Sequence, residues 1–326
     1  MFENHWGLMA QPFQPTPDPA FWYETAGHRR AVAYLDHALA QREGLVVLTG
    51  APGMGKTVLI DRLLGEADPD EVRLLRLSPG ADRNVDLLRD VAAQFGAAAT
   101  ARSRGDVVAL IERGLRAEAR TGRRTVMVID AADALPLAAL DDLHLLSSLE
   151  VAGHALLQIV LLGEPALRHQ LEQGAGLEGL RRRVIATHQL EPMEEKEIPG
   201  YVAHRLMLVG WRGRPDFAED AFPALHAQSG GVPRRVNLLA GRAMLHAAIA
   251  GTDLIDAAVV RDAAGAAVLP ARDQLGAGVG GAEPLDARIA ELEARLEQQD
   301  AALRRLLHLL VEMADAPSAP ARSRVA

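Results

Sequence analysis

The strongest limit on what this chain can fold into is one run of eight residues, Gly50-Ala51-Pro52-Gly53-Met54-Gly55-Lys56-Thr57. It matches the pattern G-x-x-x-x-G-K-[ST] in full, directly after the apolar run Leu45–Thr49 and before the helical stretch TVLIDRLL. The glycines let the backbone curl so that successive N–H groups point into one concavity, beside a helix N-terminus that favours negative charge. In that setting Lys56 bridges the β- and γ-phosphates of a nucleotide, and the Thr57 hydroxyl ligates Mg²⁺. ATP and Mg²⁺ are therefore the expected cofactors. Lys56 is one of only two lysines among 35 basic residues. The loop needs a compact cation on a thin stem, which a guanidinium does not supply. The other lysine, Lys196, lies in EPMEEKEIPG between acidic neighbours and reads as part of a solvated face.

Such a site needs an acidic residue at the end of a neighbouring apolar strand to hold the Mg²⁺ shell. TVMVID supplies it as Asp130. In ATPases of this architecture a glutamate usually follows and polarises the attacking water, whereas this chain has Ala131, with Asp133 the nearest carboxylate downstream. The residues predict nucleotide binding and leave fast hydrolysis unsupported.

Around the loop, short apolar runs alternate with helical stretches. The runs are Leu45–Thr49, Val72–Leu77, Thr125–Ile129, Leu156–Leu162 and Val184–Leu190. The first four are nearly continuous, as for strands covered on both faces, and strands separated by helices imply a parallel sheet flanked by helices. The expected fold class is α/β, with a core over residues 44–190. Residues 1–43 form an arm and a helix, with Val32, Leu35 and Leu39 on one helical face. The arm holds much of the chain's scarce aromatic content, so it should pack on something, and prolines at 12, 15, 17 and 19 argue against regular structure before Ala20. Residues 191–269 read as an all-α lid with helices over Glu194–Val209, Phe217–Ser229, Pro233–Ala250 and Asp256–Val268. Residues 270–284 read as a Gly/Ala/Pro-rich linker. Over 285–313, Ile289, Leu296, Leu303 and Leu310 repeat every seven, as do Leu285, Leu292, Gln299, Leu306 and Met313. That pattern predicts a coiled coil, the alternative being one amphipathic helix folded back on the domain; residues 314–326 read as a disordered tail.

Four longer stretches resemble a known family. The opening HWGLMAQPFQPTPDPAFWY…HRRAVAYLDHAL, the segment LLQIVLLGEPALRHQL, the stretch LEGLRRRVIATHQLEPMEEKEIPGYVAHRL and the run SGGVPRRVNLLAGRAM are similar to the arm, the fourth-strand segment, the arginine-finger stretch and the sensor-2 helix of the ExeA/GspA-type secretion ATPases. These are AAA+ proteins, and AVAYLDHALAQREGLVVLTG is most like their exosortase- and exopolysaccharide-associated branch. The resemblance covers roughly residues 1–268. It implies a P-loop AAA+ core with a helical lid. It also implies that Glu164 occupies the sensor-1 position where the family has glutamine, that Arg183 matches an arginine finger acting on a neighbouring subunit, and that Arg234 matches the sensor-2 arginine on the γ-phosphate. His28 resembles the arm histidine, near the adenine or on the surface. Ala131 and Glu164 thus depart from the family at the two polar positions nearest the hydrolytic water, and a carboxylate at 164 repels the γ-phosphate unless protonated or screened. The resemblance therefore implies a slow or inactive hydrolase working as an ATP-loaded switch.

The expected partners are further copies of the chain, through the ATP interface and the coiled coil, and proteins of an envelope or inner-membrane assembly. No stretch reaches the ~18 apolar residues of a membrane span, and the N-terminus lacks a signal pattern. The chain has no cysteine. The expectation is therefore a cytoplasmic protein, with no direct membrane insertion, that reaches the inner membrane through a partner. The alternatives are a DNA-associated switch like the transposition ATPases, against which the net charge of −8 argues, and a scaffold that holds nucleotide without turnover.

Overall fold

The computed structural model describes residues 5–14, 18–65, 67–78, 86–96, 103–174 and 176–265. The described residues all belong to the first unit of the chain, Met1–Ala267. The expected linker, coiled coil and tail lie outside the described residues.

The centre of the first unit is a five-stranded, all-parallel sheet. Its strands are β1 (Leu45–Thr49), β2 (Val72–Leu77), β3 (Arg124–Ile129), β6 (Leu157–Gly163) and β7 (Val184–Gln189), in the spatial order β2-β3-β6-β1-β7. Two-residue strands β4 (Glu150–Val151) and β5 (His154–Ala155) make a small hairpin before β6. The period-2 rule divides the core. Leu45, Val47, Met127, Ile129, Ile159 and Leu161 face one way, against helices α3 (Leu87–Gln94), α4 (Arg104–Arg120), α5 (Leu137–Ser147), α6 (Pro165–Gln173) and the short α7 (Glu178–Arg182). Val46, Leu48, Val126, Val128, Val160 and Leu162 face the other way, against α1 (Ala26–Ala40) and α2 (Lys56–Gly65). The three inner strands are buried throughout or nearly so, as their unbroken apolar runs predict. The outer strand β2 departs from that expectation. Only Val72 and Leu75 are buried, because an edge strand lacks one neighbour and its Arg73 and Arg76 reach the rim. The other edge, β7, alternates half-buried and exposed residues.

Beyond β7 come α8 (Ile198–Leu208), α9 (Ala221–Ser229), α10 (Pro233–Ala250) and α11 (Ala257–Gly265). Two of the expected helices are shorter than their apolar patterns. Asp216–Phe217 is extended and pairs in parallel with Leu254–Ile255 as β8 and β9, so α9 begins only at Ala221. Glu195–Glu197 form a separate 3₁₀ turn ahead of α8, where Pro199 occupies the first turn.

The N-terminal arm does not rest on the sheet. Trp6, Leu8, Phe13 and Phe21 are buried in the same cluster as Ile198, Tyr201, Leu225, Val236 and Val260 of the helical part. The Met9 amide also donates to the Val209 carbonyl at 2.9 Å. Pro19 opens a single 3₁₀ turn over Pro19–Phe21, capped by Asp18, so one turn of regular structure does start within the proline-rich stretch; a first-turn proline gives up an N–H that had no partner there. From Trp6 to Phe21 the arm thus packs with the helical cluster, and the α/β core is joined only at α1, which Thr25 caps.

Candidate nucleotide site

β1 lies inside the sheet: the chain leaves it for the β2 edge and later passes from β6 across it to the β7 edge. The crevice beyond the carboxyl ends of β1, β6 and β3 is thus where open α/β sheets place ligands. Three sequence-predicted residues stand at those ends: Gly50 after β1, Glu164 after β6 and Asp130 after β3. The loop leaves β1 with Gly53 at φ +85° and Gly55 at φ +86°, a backbone region that glycine enters without strain. A Cβ on Gly53 would lie 2.5 Å from the Cβ of Arg234, so the loop and α10 pack with no room for a side chain between them. The Arg234 amide donates to the Gly53 carbonyl at 3.2 Å.

Lys56 folds back over the loop, its Nζ donating to the carbonyls of Gly50 at 2.7 Å and Ala51 at 3.3 Å. Burial lowers its pKa, and the carboxylates of Asp130, Glu164 and Asp133 pull it back up. The Thr57 hydroxyl donates to Asp130 Oδ2 at 2.6 Å, and Asp130 Oδ1 accepts from the Ala131 amide at 2.8 Å. A hydroxyl and a carboxylate side by side form the hard oxygen donor set that suits Mg²⁺, with the remaining positions left to phosphate and water. Ala131 adopts a left-handed conformation, φ +51°, and its side chain is an exposed methyl. Position 131 itself brings no carboxylate to the turn.

Asp133 is committed elsewhere. Its Oδ1 accepts the Glu164 amide at 2.8 Å, and a Cβ on Gly163 would come within 2.8 Å of the same oxygen, so that glycine makes space for the contact. Glu164 precedes Pro165 at the start of α6, and its own carboxylate does not cap the helix.

A cavity of about 460 Å³ opens at the loop, lined by Gly53–Val58 and Asp130 from the core, Trp22 and His28 from the arm and α1, and Tyr201, Arg205, Arg234 and Asn237 from the helical part; Asp133 and Glu164 stand outside its lining. Its size is in the range of small-molecule sites. His28 is buried rather than on the surface. The Thr25 amide donates to Nδ1 at 3.4 Å and Nε2 lies 3.2 Å from the Met54 carbonyl, which selects the neutral tautomer with its proton on Nε2. Burial holds its pKa below the usual histidine value. Trp22 lies against it, ring centres 4.7 Å apart.

Arg183 is not in this cavity. It closes α7 where β7 begins, and its carbonyl accepts the Leu45 amide, at the start of β1. That places it a whole strand, about 16 Å, from the loop. Its Nη1 donates to the Ser147 carbonyl at 2.9 Å and lies 3.4 Å from Glu150. Lys196 is three-quarters exposed and paired with Glu194 at 2.6 Å, the solvated face expected of it. The motifs did not single out Tyr201, Arg205 or Asn237. The Tyr201 hydroxyl donates to Asn237 Oδ1 at 2.7 Å, Arg205 Nη1 donates to the Tyr201 oxygen at 3.3 Å, and Arg205 Nε donates to the Pro12 carbonyl at 2.6 Å. The available signal was their spacing: Arg205 one turn after Tyr201, and Asn237 one turn after Arg234.

A central loop-bearing strand, helices on both faces and this loop geometry define a P-loop AAA fold. A family model described as an AAA domain matches residues 39–171. The chain is 33% identical over 256 residues to general secretion pathway protein A of Aeromonas hydrophila, a match that covers 78% of this chain and 46% of that protein. The chain thus spans about half the length of the curated relative it matches. This relative supports the resemblance to the ExeA/GspA-type secretion ATPases. Among solved structures, the fold is similar to that of Cdc6p from Pyrobaculum aerophilum, with a TM-score of 0.60, 19% identity and coverage of 76% of this chain and 70% of that one. It is also similar to the Aeropyrum pernix ORC1 protein, solved in complex with DNA, with a TM-score of 0.56, 18% identity and coverage of 78% and 69%. Among the described residues no helix is long and apolar enough to cross a membrane.

Proposed function

We propose that this chain is an ATP-binding AAA+ protein of the ExeA/GspA type, in its exopolysaccharide-associated branch, that hydrolyses ATP slowly and acts as an ATP-loaded switch in a cell-envelope assembly. The carrying observation is one cavity in which a complete phosphate loop, Thr57 beside Asp130, and Arg234 from the helical part converge while position 131 offers only a methyl group. The loop amides and Lys56 take the triphosphate, Trp22 and His28 flank the base, and Arg234 reports the γ-phosphate to the helices. Mg²⁺ on Thr57 and Asp130 would neutralise charge on the β- and γ-oxygens. The domain division into arm, core, lid, linker and coiled coil belongs to this reading, as does a cytoplasmic location with attachment to the inner membrane through a partner.

Arg183 lies at the wrong end of β1 to reach its own site, so any contact it makes with a γ-phosphate is with that of a neighbouring copy. Assembly then depends on ATP. Sedimentation of the full chain should show larger species with Mg-ATP than with ADP, and Arg183→Ala should remove that difference while keeping ATP binding. Equal assembly in ATP and ADP would contradict the switch. ATP-stimulated binding to duplex DNA that weakens steeply with salt would favour the DNA-associated reading instead.

A further inference from the structure

We propose that Glu164 is the carboxylate that takes the proton of the attacking water, in place of the missing side chain at position 131. The inference rests on the nucleotide site described above and goes beyond its assignment of a merely slow hydrolase. Among the described residues, the carboxylates whose charges act on Lys56 are those of Asp130, Glu164 and Asp133. Asp130 is bound to the Thr57 hydroxyl and the Ala131 amide. Asp133 is bound to the Glu164 amide. Glu164 alone has a carboxylate that accepts no hydrogen bond from any described residue, and it is exposed.

Its place in the sheet supports the substitution of one strand end for another. β6 lies between β3 and β1, and Leu161 pairs with Ile129. Ala131 is two residues beyond Ile129, and Glu164 three residues beyond Leu161, on strands about 4.8 Å apart. Both positions therefore stand at the same end of the sheet, one strand apart. The Gly50 amide donates to the Gly163 carbonyl at 3.2 Å, so the turn carrying Glu164 is tied to the phosphate loop as well as to Asp133. Asp133 is thus a positioning residue: it fixes the backbone from which Glu164 reaches the site.

The step balances without any further reactant. Water attacks the γ-phosphorus as one of its protons passes to the Glu164 carboxylate. The bond from phosphorus to the β,γ-bridging oxygen breaks, and ADP leaves with that electron pair. Phosphate forms, and Glu164 then returns its proton to solvent. The same negative charge weakens the hold on the γ-phosphate. One side chain therefore makes two effects of opposite sign, on ATP affinity and on hydrolysis.

Glu164→Gln separates them. Single-turnover ADP formation and the affinity for a non-hydrolysable ATP analogue and for ADP are measured on the full chain, for the wild type, Glu164→Gln and Ala131→Glu/Glu164→Gln. The exposed position keeps Glu164→Gln folded, which its Tm verifies. The expected result is at least about a 100-fold loss of hydrolysis with analogue binding tightened severalfold relative to ADP, and recovery of hydrolysis in the double variant. Asp133→Ala should slow hydrolysis at unchanged ADP affinity, and Asp133→Asn, which keeps an acceptor oxygen, should restore it. Hydrolysis equal to or faster than wild type in Glu164→Gln would overturn the assignment, as would a wild type that binds ATP and forms no ADP. Failure of the wild type to bind either nucleotide would instead overturn the nucleotide site itself.

Discussion

Lys56→Ala is expected to lower the affinity for Mg-ATP by at least about 100-fold, some 3 kcal/mol, while leaving the fold in place. The ammonium rests on two loop carbonyls, Gly50 and Ala51. A phosphate replaces those neutral contacts with charge-assisted ones, about twice as strong, in a half-buried site where screening is weak. The folded state gains little from Lys56, since burial already disfavours its charged form. Tm should therefore move by less than about 4 °C, the shift that roughly 1 kcal/mol produces in a unit of this size. Titration calorimetry and a thermal melt on the same sample check both halves. An affinity loss accompanied by a large fall in Tm would mean that the loop had collapsed.

Arg205→Ala should produce the largest loss of stability, about 2–4 kcal/mol and roughly 5–10 °C in Tm, together with a fall in ATP affinity of about tenfold. Arg205 is only 6% exposed. Its Nε holds the Pro12 carbonyl, and its guanidinium lies 4.7 Å from the centre of the Phe21 ring and 5.6 Å from that of Tyr201. Removing it leaves the Pro12 carbonyl unpaired and cuts the arm from the helical cluster. The arm also forms one wall of the nucleotide cavity, through Phe21, Trp22 and Tyr23. Arg205→Met, which fills the volume but cannot donate, should lose nearly as much in a denaturant titration, because the unmet carbonyl rather than the cavity dominates. A Met variant as stable as the wild type would show that the arm is held by apolar packing alone.

These two residues mark how far the sequence can be read. Lys56 was legible because its chemistry is local: eight consecutive residues place the strand end, the turn and the helix start. Asp130 was legible for the same reason, as the polar residue that ends a buried apolar strand. The parallel sheet followed from the continuous runs of β1, β3 and β6. Arg205 was not legible, since its partner Pro12 lies 193 positions earlier in the chain. The arm's aromatic content predicted that it packs on something, and only the fold brings Trp6 and Phe13 to the helical cluster. Asp133 is in sequence the nearest carboxylate downstream of Ala131; the structure commits it to the Glu164 amide, a contact between neighbouring strand ends that no spacing rule encodes. Arg183 shows the reverse case. Its motif was legible, and the fold carries it away from its own loop to the far end of β1.

The central claim, a complete ATP site with slow turnover, is tested most directly by loading the full chain with Mg-ATP, chasing with excess unlabelled ATP, and identifying the protein-bound nucleotide over time. The account predicts that the nucleotide remains chiefly ATP for at least about the first minute, with cleavage slower than about 0.01 per second, well below the ordinary enzymatic range. Cleavage at about 1 per second or faster, abolished by Lys56→Ala, would contradict it.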